Sequence, residues 1–367
     1  MQSATAFNLS ERARTIPARQ NLSRDPLIHF DPLAARTVFI VPKRADRPID
    51  DRMSNTHSDC LSFDSLSSGT RADCPFCAGN ELLTPPDIMR MPAASAQPWR
   101  ARIIPNRFPI VEPRSPTQQT AELPPSIATP ATRPAHGVHD VVIESPNHDH
   151  TILAITPSAW RDVWELCRQR IALLSEREDL LWATVFKNSG VHAGASLEHL
   201  HSQLIALDFI PPLLAAELEA LAGTGNPFAN VLTVARMTDT VVAEAGDLVA
   251  IVPPATRQPF EIWILPCHPE AYFHATSAAH IEALASLTQR VVAKLQRLVP
   301  GADYNWWLHQ APFAKRTGSP EAARLSKWHW HLEILPRLAS FAGFELATGC
   351  HVTTLFPQES ARRLREA

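Results

Sequence analysis

Glycine is scarce in this sequence: 12 residues in 367, against 33 prolines. Average usage is about 7% glycine and about 5% proline. A chain so poor in glycine does not rest its chemistry on a glycine-rich phosphate loop, and neither G-x-G-x-x-G nor a P-loop occurs in it. Tyrosine is nearly absent, with 2 residues, although there are 9 tryptophans and 16 histidines. Charge is also sparse. Charged residues are 19% of the chain, 34 basic against 37 acidic, for a formal charge of −3. That balance speaks against nucleic acid as a partner, since such proteins show a basic excess or patch. No run approaches the ~18 apolar residues of a membrane span, so no membrane partner is expected. The N-terminal stretch MQSATAFNLSERARTIPARQ lacks the apolar core of a secretion signal. The six cysteines are Cys60, Cys74, Cys77, Cys167, Cys267 and Cys350, and only Cys74 and Cys77 are close together. Scattered cysteines without a secretion signal point to a reducing, cytoplasmic compartment.

What is present has order. Residues 1–35 are polar and irregular and read as an N-terminal arm. RTVFIV at 36–41 reads as the first strand, and the charged, Ser-rich stretch 43–73 as a loop leading to Cys74. Twelve prolines fall between Pro85 and Pro134. Proline removes ladder donors, so this region is expected to wrap the outside of a sheet, with only ARIIP at 101–105 as a strand. Regular patterns follow: strands at 139–144, 182–187 and 203–207, an amphipathic helix over 157–177, and a short helix over 213–221. A second pass has a hairpin at 240–252, strands at 260–265, 304–309 and 331–335, and a helix marked by Ile281, Leu284, Leu287, Val291, Leu295 and Leu298. A terminal helix spans 358–366. VVIESPNH and EIWILPCH begin two similar passes, which end in His199-Leu200-His201-Ser202-Gln203 and His329-Trp330-His331-Leu332-Glu333. This predicts an α+β fold built from a duplicated unit, with domains at 36–210 and 211–367 after the arm at 1–35.

Three groups of residues could carry chemistry. Strand alternation puts His199, His201 and Gln203 on one face, after the small-residue run Ala193-Gly194-Ala195-Ser196. A neutral imidazole is a nucleophile toward phosphorus, and a neighbouring amide can hydrogen-bond phosphoryl oxygens where charge builds up. Gly194 and Ser196 can bring backbone NH groups and a hydroxyl to a phosphate. Second, Cys74-Pro75-Phe76-Cys77 suits either two thiolates on a tetrahedral zinc ion or a redox pair. Redox pairs open a helix after a strand, and a Pro-rich stretch follows here. Zinc would need two more ligands, for which His148 and His199 are candidates. Third, Glu217, His309, His329 and His331 could hold a second divalent metal.

These residues resemble the galactose-1-phosphate uridylyltransferase family, a branch of the histidine-triad superfamily, near its ADP-glucose phosphorylase-like branch. The motifs are CPFCAGNE at 74–81, IPNRFP at 104–109, ESPNH at 144–148, FKN with AGASLEHLHSQ between 186 and 203, FEIWILP at 260–266, and WHWHLEIL with FELATGC near the C-terminus. The resemblance covers roughly residues 36–366. It implies a duplicated histidine-triad-like α+β unit with antiparallel sheets and packed helices, often a homodimer. It also implies a nucleotidyltransferase working through a covalent nucleotidyl-histidine. The family's nucleophile falls on His201 and its phosphoryl-contacting amide on Gln203, with Ser196 beside them. Nucleotide contacts fall on Asn106, Asn188, Gly194, Ser196 and Gln203. Zinc ligands fall on Cys74, Cys77, His148 and His199. The ligands of a possible second divalent metal, Fe or Zn, fall on Glu217, His309, His329 and His331.

The pattern also departs from the family. Leu200 replaces the usual Pro, and Arg107 stands where an acidic ribose contact is usual. Glu345, Cys350 and His351 occupy hexose-holding positions. The substrates implied are a nucleotide-sugar and a sugar phosphate, in a UDP-hexose:hexose-1-phosphate uridylyltransferase-like reaction. Two alternatives stand beside it: an ADP-sugar or dinucleotide phosphorylase or hydrolase, and a non-catalytic, zinc-stabilised nucleotide-binding protein.

Overall fold

Alternation along the central strands places apolar side chains on both faces, so both faces must be covered. A computed structural model describes residues 25–31, 36–46, 69–93, 98–114, 132–223, 225–313 and 324–367. The strands are β1 Leu27–Asp31, β2 Arg36–Ile40, β3 Met89–Met91, β4 Ala101–Pro105, β5 Thr132–Pro134, β6 Gly137–Ile143, β7 Trp182–Ser189, β8 His201–Leu207, β9 Val241–Ala245, β10 Leu248–Ile251, β11 Ile262–Pro266, β12 Tyr304–His309 and β13 His331–Pro336. The helices are α1 Pro157–Ser175, α2 Pro212–Ala220, α3 Pro227–Met237, α4 Ala278–Leu298, α5 Gly343–Thr348 and α6 Pro357–Glu366.

Among the described residues, ten strands form one sheet in the order β3-β4-β6-β8-β7-β12-β13-β11-β10-β9. Its named strands pair antiparallel throughout. The order is a mirror about the β7–β12 pair: β7, β8 and β6 on one side match β12, β13 and β11 on the other. The repeated passes of the sequence thus join their strands edge to edge. The Pro-rich segment supplies the edge strand β3 and, inside it, β4, which pairs with both β3 and β6. It contributes more strand than ARIIP alone, and β5 pairs with β1 in a separate three-stranded sheet. Leu27–Asp31 is therefore strand where an irregular arm is expected; residues 1–24, Cys60 and most of the 43–73 loop lie outside the described residues. α3 and α5 are two further helices that the sequence patterns do not reveal.

α1 and α4 pack side by side on one face. Their apolar stripes meet Leu204, Ala206, Leu308, Leu332 and Ile334 in the main core. Tryptophan fills this layer: Trp160, Trp164 and Trp306 lie with ring centroids 5.8–6.0 Å apart. Trp160 Nε1 donates to Thr288 Oγ1 at 2.8 Å, tying α1 to α4. Thr156 and Ser277 cap the two helices, accepting from Ala159 N and His280 N. The opposite face is covered differently. Ile205, Leu207, Leu265 and Val249 pack with α2 and α3, and Val141, Ile143 and Ile104 pack with Cys74, Phe76 and Cys77. With period two, His201, Gln203, His331, Glu333 and His309 all fall on this second face, away from α1 and α4.

Candidate functional site

The Cys74–Cys77 turn is held by Asn80, whose Nδ2 donates to Arg71 O at 2.8 Å and Cys74 O at 2.7 Å. His148 follows β6 and His199 precedes β8. These strands are neighbours, in register Ile143↔His201. Leu200 N donates to Asp149 O at 2.9 Å, which clips the two loops together. As a result Cys74 Sγ lies 3.5 Å from His199 Nδ1, and Cys77 Sγ lies 3.5 Å from His148 Nδ1 and 3.6 Å from His199 Nδ1. All four residues are buried, with their donor atoms within 4.8 Å of one another. His199 Nε2 lies 2.9 Å from Ser145 O and donates to it, so Nδ1 carries the lone pair toward the sulfurs. Burial pushes the Cys74 thiol up to about 11, with backbone NH groups opposing it and Cys77 adding to it. Burial, with nearby His148 and His201, drives His199 down to about 3 against the Ser145 hydrogen bond. Two imidazoles and two sulfurs facing one another form a donor set that could hold a metal ion. The structure brings together all four residues that the sequence singled out for this cluster.

His201 begins β8 beside this cluster. Its Nδ1 donates to the His199 carbonyl at 2.8 Å, which leaves Nε2 as the unprotonated nitrogen. Phe76 meets its ring edge-on at 5.5 Å. Gln203, two residues on, is buried on the same face, and its Oε1 lies 2.9 Å from His139 Nε2. Asn106 joins this group: its Oδ1 accepts from Phe108 N at 2.8 Å and its Nδ2 is 3.0 Å from His139 Nε2. Asn188 sits two residues beyond the last β7–β8 pair, Phe186↔Gln203. Its Oδ1 accepts from Asn305 Nδ2 at 2.8 Å. The turn carrying Gly194 and Ser196 is pinned from the residue before β12, because His192 N donates to Asp303 Oδ2 at 2.7 Å. Gly194 has φ +82°, a Cβ there would meet Asn188 Nδ2 at 4.0 Å, and Ser196 is buried.

Two charged residues that the sequence reading passed over lie under this site. Lys187 Nζ donates to Glu144 Oε2 at 2.5 Å and to His201 O at 2.8 Å, and Ser202 Oγ donates to Glu144 Oε1. Burial lowers the Lys187 ammonium, and Glu144 opposes that shift. Period two offers the signal after the fact: Lys187 and Ser202 face the opposite side of the sheet from Gln203.

The second half repeats the arrangement with altered chemistry. His331 Nδ1 donates to the His329 carbonyl at 3.1 Å, as His201 does to His199. His309 Nδ1 lies 2.7 Å from Glu217 Oε1, and His331 Nε2 lies 3.7 Å from Glu217 Oε1 and 3.5 Å from Glu333 Oε1. The donor atoms of Glu217, His309, His331 and Glu333 lie within 4.8 Å of one another. His329 is not in this group, and Glu333, read from sequence only as the counterpart of Gln203, takes its place. His329 stands before β13, and its Nδ1 donates to Pro266 O at 2.8 Å, which leaves Nε2 as the nitrogen able to accept. Its Nε2 and Glu217 Oε2 are both buried without a hydrogen-bond partner. Arg257 binds the other oxygen of Glu333 and also Glu261. Burial works against charge here, yet Glu217 and Glu333 hold the His331 imidazolium up to about 10. Burial likewise opposes ionisation of Glu217, yet His331 and His309 hold it down to about 2.

Residues 20–211 match the model of the galactose-1-phosphate uridyl transferase N-terminal domain, and residues 145–367 match a domain of unknown function, DUF4921. The chain is 32% identical to an ADP-glucose phosphorylase of Arabidopsis thaliana, over 94% of this chain and 93% of that one. It is 24% identical to a galactose-1-phosphate uridylyltransferase of Thermotoga maritima, over 81% and 90%. The structure of an Arabidopsis thaliana ADP-glucose phosphorylase with bound ADP-glucose superposes with a TM-score of 0.70 at 29% identity, covering 94% of this chain and 99% of that one. No helix among the described residues is long and apolar enough to cross a membrane. By sequence along its length and by fold, the chain belongs to the galactose-1-phosphate uridyl transferase family.

Proposed function

We propose that the chain moves a nucleoside monophosphate from a nucleoside-diphosphate sugar to an acceptor, through a covalent intermediate on His201. The observation that carries this reading is the 2.8 Å contact from His201 Nδ1 to the His199 carbonyl. It holds the proton on Nδ1 and leaves the Nε2 lone pair for the α-phosphorus. The P–N bond forms as the bond to the bridging oxygen breaks, and the electron pair leaves with the sugar 1-phosphate. The Nδ1 proton stays on the ring, where the His199 carbonyl stabilises the positive charge of the adduct. Gln203 and Ser196 donate to the phosphoryl oxygens, while Asn106, Asn188 and Gly194 line the nucleotide. An acceptor oxygen then attacks phosphorus, and the P–N electrons return to Nε2.

Cys74, Cys77, His148 and His199 fit a zinc ion, since both imidazoles turn Nδ1 toward the two sulfurs. Zinc would supply a tetrahedral cross-link there, tying the Cys turn to the segment that orients His201. Glu217, His309, His331 and Glu333 fit a second divalent cation, Fe or Zn. The buried, partnerless oxygen of Glu217 and Nε2 of His329 support this reading.

For the donor and acceptor, the 32% identity to an ADP-glucose phosphorylase favours an ADP-sugar with phosphate as acceptor. The sugar 1-phosphate acceptor of a uridylyltransferase is the second reading, favoured by the residue 20–211 match. Phe344, Leu346, Val352 and Phe356 are exposed along the C-terminal segment, which supports a homodimer. The free thiols of Cys74 and Cys77 suit the reducing cytoplasm.

The test is incubation with α-³²P-labelled ADP-glucose and UDP-glucose, followed by peptide mapping. The expected label is acid-labile, on His201, absent from His201→Ala, and released by phosphate or a sugar 1-phosphate. Labelling at another residue, or none with either donor, would refute the reading.

A further inference from the structure

We infer that His139 is a positioning residue for nucleotidyl transfer, fixing which end of the Gln203 carboxamide faces the phosphoryl group. The inference rests on the reading of Gln203 given above. His139 lies on β6 opposite Ile205, one diagonal step from Gln203, which itself opposes Val141. Its imidazole is buried.

The backbone decides its tautomer. Ile110 N donates to His139 Nδ1 at 3.1 Å, and a backbone N–H has no alternative orientation. A ring nitrogen that accepts carries no hydrogen, so the single N–H of the neutral ring is on Nε2. Nε2 has two side-chain amides within reach, Gln203 Oε1 at 2.9 Å and Asn106 Nδ2 at 3.0 Å. Asn106 cannot turn its oxygen inward, because Oδ1 already accepts from Phe108 N at 2.8 Å, so its Nδ2 meets Nε2 as a second donor and cannot accept that hydrogen. The His139 Nε2–H therefore donates to Gln203 Oε1. Carboxamide orientation is ordinarily ambiguous; here a chain of hydrogen bonds starting at a backbone donor resolves it. With Oε1 engaged, the NH₂ of Gln203 is the end left for phosphoryl oxygens. The flipped amide would present an oxygen to them and lose the stabilisation that an oriented donor provides, on the order of 10²–10³ in rate.

The test is a double-mutant cycle read by single-turnover formation of the nucleotidyl-histidine, in wild type, His139→Phe, Gln203→Ala and the double variant. We expect His139→Phe to slow the step by about 10- to 100-fold with donor affinity changed little, and to cost almost nothing in the Gln203→Ala background. His139→Gln, which can accept from Ile110 and donate to Gln203, should retain more activity than His139→Phe. Equal unfolding midpoints and metal content exclude a merely structural effect. An equal cost in both backgrounds, or none in either, would overturn the proposal. A measurement independent of turnover completes the test: ¹⁵N NMR of labelled histidine should show His139 as the Nε2–H tautomer. A proton on Nδ1 overturns the inference whatever the substrate. The Nε2–H tautomer in a protein that takes no label would refute the transfer reading alone.

Discussion

Lys187 and Glu144 form a fully buried ion pair at 2.5 Å on the sheet face opposite His201, and Lys187 also holds the His201 carbonyl. Burying both charges is costly, and the pair is supported by hydrogen bonds from Lys187 to the His201 carbonyl and from Ser202 to Glu144. Lys187→Met leaves Glu144 unpaired and should destabilise the protein by about 3–5 kcal/mol. Lys187→Met with Glu144→Leu removes both charges and should recover much of that loss. Urea unfolding of the metal-loaded proteins compares the two; a double variant no more stable than the single one would contradict the account.

The Cys/His cluster should take up one metal ion per chain and release protons in doing so. Burial holds the Cys74 thiol at about 11 without a cation, so binding near pH 7.5 must expel its proton. Affinity should rise with pH, and the heat of binding should vary with the buffer's ionisation enthalpy. Cys77→Ser should abolish this equivalent of metal and leave the Glu217 cluster unaffected, as elemental analysis would show.

In metal-stripped protein, the second cluster should make stability depend on pH in the neutral to alkaline range. His331 is raised from 6.5 to about 10 in the folded state, so its contribution is fully present below about 6.5 and is lost as pH rises through about 10. Glu217, lowered from 4.5 to about 2, contributes above about 4.5 and loses that contribution as pH falls through about 2. The two describe one interaction. Glu217→Gln should flatten the alkaline limb of the stability profile, and an unchanged slope would show that the cluster is not coupled as described.

Gly190 lies at φ +89°, and a Cβ there would fall 1.7 Å from Asp303 Oδ1. Asp303 is the residue that pins the turn leading to Gly194 and Ser196. Gly190→Ala combines a left-handed backbone penalty of about 1–2 kcal/mol with that clash. It should lower the rate of His201 labelling more than it lowers metal content. Labelling at the wild-type rate would show that the turn does not position the phosphate.

Local rules are legible in the sequence by itself. The His-x-His-x-Gln spacing places His201 and Gln203 on one strand face because side chains alternate with period two. Apolar spacing marks α1 and α4, and the Cys74–Cys77 spacing marks a pair suited to a metal ion or to redox chemistry. The repeated passes predict a duplicated unit; that its halves join edge to edge in one sheet is seen only in the structure. Tertiary structure decided the rest, because ring orientations and charge partners depend on atoms far apart in the chain. The carbonyl of His199 holds the proton on Nδ1 of His201, and Ile110 selects the tautomer of His139. Glu333 joins Glu217, His309 and His331 within 4.8 Å and His329 does not, because convergence is set by how β12, β13 and α2 pack. Glu144 and Lys187 read as ordinary strand charges until two strands 43 residues apart bury them against each other. Spacing along a chain specifies which face a side chain takes; only the packed sheet specifies what it meets there.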